Sequence, residues 1–243
     1  MTGFNLDIII PVYNEGEQIL PWLEQVLSYL SPEDSVVVVD ASETDKAELL
    51  LSDLVLNHQS LHFLKSGKGR ALQMNAGASY LLSLQKAPSL LWFLHSDSGL
   101  SQSHLDYLHQ LDESIHWGRF DVYLTADLSI NGQTFPFGII SKFINLRSRF
   151  TQVMTGDQGI FIRSDVFQFL KGYDVIPLME DVEITKRLRL ISKADCGGPA
   201  LQTSARRWQK HGWVKTVLLM WQLRLMYWLG VSPSLLVKKY YGK

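Results

Sequence analysis

The chain has 243 residues, with 23 basic against 24 acidic side chains and 46% hydrophobic content. That length gives room for a sizeable core, and a formal charge of −1 leaves no broad basic field for sequence-independent nucleic-acid binding. The single cysteine, Cys196, excludes an intrachain disulfide and any multi-cysteine zinc site. With no basic segment and apolar core of a secretory signal at the start, a reducing cytosol is the expected location.

The first hundred residues alternate between two periods. Leu6–Val12, Val36–Val39, Leu61–Leu64 and Leu90–Leu94 are compact apolar runs, as expected of strands covered on both faces in a parallel sheet. Between them, Glu17–Leu30, Ala47–Val55 and Arg70–Leu84 carry helical spacing. Strand and helix in alternation predict an α/β layer fold with a ligand crevice at the carboxyl ends of the strands.

Beyond residue 100 the expected order is a helix at Leu105–Leu111 and a strand at Gly118–Thr125. A hairpin turn is expected at Asn131-Gly132, then a helix at Ile139–Phe150 and a strand at Gly159–Ile162. Ser164 or Asp165 is expected to cap the next helix, with another over Asp181–Leu190. The last forty residues concentrate Trp208, Trp213, Trp221 and Trp228 among basic groups. Lys215, Gln222 and Arg224 in the apolar stretch Trp213–Leu229 argue against a plain membrane span. At 100° per residue Arg224 falls opposite Lys215, on the otherwise apolar side, where a simple amphipathic surface helix would not put it.

Polar groups gather where the strands end. The first strand runs into Pro11-Val12-Tyr13-Asn14-Glu15, the second into Asp40, and the fourth into His95-Ser96-Asp97. Gly67-Lys68-Gly69-Arg70 precedes a helix whose amino terminus favours an anion, though it matches neither the P-loop nor the dinucleotide fingerprint.

Ile8-Ile9-Ile10-Pro11-Val12-Tyr13-Asn14-Glu15, Val39-Asp40, the Asp97 segment and Glu180-Asp181 together resemble the ordered motifs of family 2 glycosyltransferases. Gly69–Ala78, Phe93–Asp97, Trp117–Asp121, Gly156-Asp157-Gln158, Pro177–Asp181 and Arg206–Gly212 narrow the resemblance to the subgroup called radical-SAM/selenodomain-associated transferase 2. The resemblance implies the GT-A fold: a Rossmann-like mixed α/β sheet flanked by helices, with a helical C-terminal extension. Residues 1–212 would form one domain, nucleotide-binding over 1–100 and acceptor-binding over 101–212, followed by an aromatic and basic helical segment at 213–243.

It also implies an inverting, metal-dependent transfer of a sugar from a nucleotide-diphosphate donor, with a uridine donor expected, to an acceptor that no motif identifies. Pro11 and Glu15 would sit against the nucleotide, Asp40 would bind the base, and Arg70 would meet the diphosphate. Asp97 would hold Mn2+ or Mg2+, with oxygen ligands suited to either. His95 occupies the place of the usual first carboxylate, a departure that puts two-carboxylate metal binding in question. Asp181 would be the base that removes the acceptor proton, with Glu180 supporting it.

Other readings stay open at this stage. Asp157 suits either the acceptor or ion site or an ordinary turn, and Asp121 is expected to face solvent. Arg206, Arg207 and His211 either close over the phosphates or form a solvated surface. The tryptophans are expected in the core or an interface rather than as sugar platforms. Residues 213–243 allow peripheral contact with the inner face of a membrane, or a homodimer. Two further function classes are a sugar-phosphate nucleotidylyltransferase and a non-catalytic membrane- or partner-binding module on the same fold. The first of these lacks its Gly-rich loop directly after the first strand.

Overall fold

The computed structural model describes residues 4–84, 88–126 and 137–241. The expected Asn131-Gly132 turn lies outside them. Strands β1 (Asn5–Val12), β2 (Ser35–Asp40), β3 (Leu61–Lys65) and β4 (Ser89–Phe93) alternate with helices α1 (Ile19–Ser28), α2 (Lys46–Asn57) and α3 (Arg70–Leu84). The four strands run parallel in the order β3-β2-β1-β4. Side-chain alternation explains why their apolar runs are unbroken. Ile8, Ile10, Val36 and Val38 enter one buried cluster with Leu23 and Leu51. Ile9, Val37 and Val39 enter the other, beneath Met74 and Ala78 of α3. Helix α3 lies so close to the sheet that a Cβ at Gly77 would come within 2.7 Å of the Ile9 side chain.

The second half completes a mixed sheet. After α4 (Gln102–His109) come β5 (Trp117–Gly118), β6 (Val122–Thr125), α5 (Phe137–Thr151), β7 (Phe161–Arg163) and α6 (Ser164–Phe169). Strand β7 joins β4 antiparallel, and β5 joins β7, closing a six-stranded sheet. Helix α7 (Glu180–Leu188) precedes β8 (Leu201–Ser204), which pairs in parallel with β6 as a separate two-stranded sheet.

Two local expectations are corrected. The single strand at Gly118–Thr125 is two strands in different sheets. Between them the fully buried Arg119 pairs with Asp121 and donates to the Asn145 carbonyl, while the Phe120 N–H reaches the Gln158 carbonyl. Asp121 is accordingly an ion-pair partner of Arg119 and Arg149 rather than a solvent-facing residue. Neither Ser164 nor Asp165 is the cap of α6, which starts at Ser164 itself. Ser164 Oγ accepts from the Ser89 N–H, and Asp165 pairs with Arg163.

The carboxyl-terminal segment is helical throughout most of its described length, as α8 (Arg206–His211), α9 (Trp213–Trp228) and α10 (Pro233–Tyr241). Helices α9 and α10 double back on each other and bury Leu223 and Leu236 against Met179 and Val182 at the start of α7. Val214, Leu218, Trp221, Leu225 and Trp228, at helical spacing, face outward along α9. Among the described residues no helix is long and apolar enough to cross a membrane.

Candidate active site

A cleft opens at the carboxyl ends of β1 and β4, with Pro11, Phe93 and His95 on one side and Tyr173, Glu180 and Asp181 on the other. The wall built from the ends of β1, β2 and β4 is held by polar ties. Buried Gln73 of α3 donates to the Val12 and Val39 carbonyls at 2.7 and 2.8 Å, joining the ends of β1 and β2. Ser96 donates to Glu15 at 2.9 Å, linking the loops after β4 and β1. Asp40 is buried and its carboxylate is engaged: Ser42 donates through N–H and hydroxyl, and Lys65 Nζ lies 3.1 Å away. Three donors thus take up most of the acceptor capacity of the Asp40 carboxylate.

Arg70 is the hinge of the site. It opens α3, donates to His95 Nε2, and places Nε 3.5 Å from Glu180 Oε1. Burial and the Arg70 charge together push the His95 pKa well down, so the imidazole is neutral and accepts from the guanidinium. Glu180 is 5% exposed; burial and then the neighbouring Asp181 raise its pKa, against Arg70, which lowers it.

The acid pair is delivered by a strained turn. Met179 has φ 71°, a left-handed conformation that is uncommon outside glycine, and the next residue starts α7. Asp181 is half-buried. Its Oδ2 accepts from the Gly156 N–H at 2.8 Å and its Oδ1 from its neighbour Val182 at 2.7 Å. Gly156 also leaves room that a side chain would take from the Arg70 guanidinium. Asn75 of α3 clasps the Tyr173 backbone with two hydrogen bonds, of 2.8 and 2.9 Å, which fixes the buried Tyr173 ring beside the acids.

Asp97 is exposed at the cleft mouth. Crowding by protein raises its pKa, and Asp157 raises it further, whereas Arg70 and Arg206 oppose the rise. Asp157 and Asp181 in turn both act on Arg147 of α5 and Arg224 of α9. Carboxylates at 97, 157 and 181 thus share one electrostatic neighbourhood.

Among the described residues no three ligating side chains form a closed metal cluster. Asp97 and Asp157 nevertheless offer hard oxygen donors that repel one another, a set suited to a divalent cation completing its shell with phosphate oxygens. His95 Nε2, turned to Arg70, is not directed to such an ion.

A family model for glycosyl transferase family 2 matches residues 7–172, which include nearly all of this sheet and the wall at the ends of β1, β2 and β4. The chain belongs to glycosyl transferase family 2. No curated protein matches it in sequence. Its fold is similar to that of the mannosyltransferase PcManGT from Pyrobaculum calidifontis, solved with GDP-Man and Mn2+. That match has TM-score 0.62 and 14% identity, over 84% of this chain and 57% of that one. It is also similar to residues 1–349 of TarS from S. aureus, with TM-score 0.58 and 17% identity, over 83% of this chain and 60% of that one. The chain thus spans less than two thirds of these neighbours' length.

For this family 2 chain, the cleft brings together Pro11, Arg70, His95, Glu180 and Asp181, with Asp97 at its edge. Glu15 braces a loop and Asp40 is held by protein partners. Of the basic groups in the terminal segment, Arg206 reaches the electrostatic field of Asp97, and the side chains of Arg207 and His211 are not described. Tyr173 and Arg147 escaped the sequence reading, and Asn75 entered it only within the Gly69–Ala78 motif, without a role. For Arg147 a signal existed: it lies at helical spacing after Ile140 and Ile144, on the inward side of α5.

Proposed function

We propose that the chain is an inverting glycosyltransferase that moves a sugar from a nucleotide diphosphate, uridine diphosphate by expectation, to an acceptor hydroxyl. The observation that carries this reading is that Arg70 and the Glu180-Asp181 pair line one cleft at the strand ends of a family 2 fold, with Asp97 in the electrostatic reach of Arg70. The motifs quoted above support membership of the radical-SAM-associated subgroup.

Asp181, oriented by the Gly156 and Val182 amides, would take the proton of the acceptor hydroxyl as its oxygen attacks the anomeric carbon. The bond from that carbon to the diphosphate oxygen would break on the opposite face. Arg70 would share the charge of the departing diphosphate, exchanging its Glu180 and His95 partners for phosphate oxygens. Asp97 and Asp157 would hold Mn2+ or Mg2+, which when bound neutralises charge on the leaving group. The outward apolar face of α9, with Trp221 and Trp228 exposed and Lys215 among them, supports peripheral membrane contact for the terminal segment.

The test is thermal denaturation with UDP or GDP, each with Mn2+. One of them is expected to raise the melting temperature, and Asp97→Ala to abolish the rise. Absence of any rise with either nucleotide at millimolar concentration would overturn the donor assignment.

A further inference from the structure

Two cations beside Asp181 have no part in the reaction above. Arg147 of α5 and Arg224 of α9 are both half-buried. Arg147 Nη1 donates weakly to the Val153 carbonyl at 3.4 Å, while its Nη2 is buried without a hydrogen-bond partner. Arg224 makes no hydrogen bond or ion pair among the described residues. Burial and the charge of Arg224 push the Arg147 pKa down to about 10. Asp157 and Asp181 offset this from a distance, without an ion pair to either arginine.

Arg147 donates to the Val153 carbonyl, and Val153 packs in one apolar cluster with Leu223, the neighbour of Arg224, so the two guanidinium groups share this corner of the fold. With no ion pair to either among the described residues, an anion bound there would relieve their mutual repulsion. Their planar forks match the oxygens of a phosphate or carboxylate. The donor diphosphate has its own partner in Arg70, whose charge acts on Asp97 and Glu180. Asp181 acts on both arginines and is the first of the carboxylates to act on Arg224, which puts the pair within reach of a group that meets Asp181.

We propose that Arg147 and Arg224 form an oxyanion subsite that holds a phosphate or carboxylate group of the acceptor. The word acceptor rests on the glycosyltransferase reading; the oxyanion site itself does not. The anion is carried either by a soluble ester or by a lipid headgroup. The outward apolar residues of the same two helices, Phe143, Leu146 and Phe150 on α5 and Leu218, Trp221 and Leu225 on α9, flank the subsite and favour the lipid source.

The test is calorimetric titration of inorganic phosphate into the full chain, with and without saturating UDP and Mg2+. Wild type is expected to bind phosphate in both conditions, and Arg224→Gln and Arg147→Gln each to weaken it about tenfold or more. UDP affinity is expected to stay unchanged in Arg224→Gln, which removes no hydrogen bond among the described residues. Arg224→Lys, with its charge kept and its fork lost, is expected to fall between the two. Equal phosphate affinity in wild type and both glutamine variants, or no binding by wild type up to about 10 mM, would overturn the subsite. Phosphate binding that persists in a chain indifferent to every nucleotide diphosphate would keep the subsite and refute the transferase reading. Phosphatidylcholine vesicles with and without phosphatidic acid separate the sources. A preference for phosphatidic acid that Arg224→Gln removes assigns the anion to a lipid, and no preference assigns it to a soluble ester.

Discussion

The two ends of the central sheet treat polar groups in opposite ways. At the amino ends of the strands every prominent carboxylate is engaged. Asp34 accepts from the Leu6 and Ser31 amides and from His109, and Asp7 accepts from the Ser89 hydroxyl. At the carboxyl ends, Asp97 stands open, while Arg147 and Arg224 lie near Asp157 and Asp181 without pairing to them. One backbone supports both arrangements, so strand geometry alone does not cause the difference. Polar groups that stabilise the fold are consumed by it, and those kept for a ligand are positioned by neighbours yet left with capacity to spare. Asp40 is the intermediate case, located at the ligand end but tied to Lys65 and Ser42.

The largest effect that would break or sharpen this contrast is expected at Asp181. Asp181→Asn keeps the two hydrogen bonds through its carbonyl oxygen only in part and removes the group proposed as base. Turnover, followed as released nucleotide diphosphate, should fall about a thousandfold while UDP affinity is retained. A variant within tenfold of wild type would remove Asp181 from the role of base. Next comes the packing that connects the terminal helices to the site. Leu223 is fully buried against Met179 and Val182, so Leu223→Ala should cost about 3 kcal/mol in urea denaturation. An effect under about 0.5 kcal/mol would show that α9 and α10 are carried by the fold without supporting the start of α7.

The first hundred residues were legible because their signals are local. Unbroken apolar runs mark doubly covered strands, and Arg70–Leu84 is bounded in the structure as its periodicity indicates. The chain beyond residue 100 was less legible because its geometry depends on distant partners. Arg119 turns β5 out of line with β6 by bonding to Asp121 and Asn145, a choice invisible in an alternating stretch. Arg224 was conspicuous as a cation on the wrong face of its helix, yet only the fold shows that this face turns toward Asp157 and Asp181. The Gly156 amide bonded to Asp181 could not be read at all, since backbone donors carry no residue-type signal.

The smallest effect is expected at the saturated end, and its sign distinguishes that end from the other. Asp7 is fully buried, and burial, opposed by the Ser89 hydrogen bond and reinforced by Asp34, raises its pKa from 3.8 to about 6. The folded chain therefore binds the proton more tightly than the unfolded chain. The stability that Asp7 contributes is highest below about pH 4, declines as pH rises toward 6, and is level above that. Asp7→Asn cannot ionise, so it escapes this decline while its carbonyl oxygen still accepts from Ser89. Relative to wild type, the variant should gain about 2 kcal/mol between pH 4 and pH 7.5, read from urea midpoints at the two values. A difference between the two proteins that is the same at both pH values would mean that Asp7 is ionised without penalty. In that case the amino ends of the strands, too, would hold charge in reserve, and saturation would no longer separate the structural end of this sheet from the functional one.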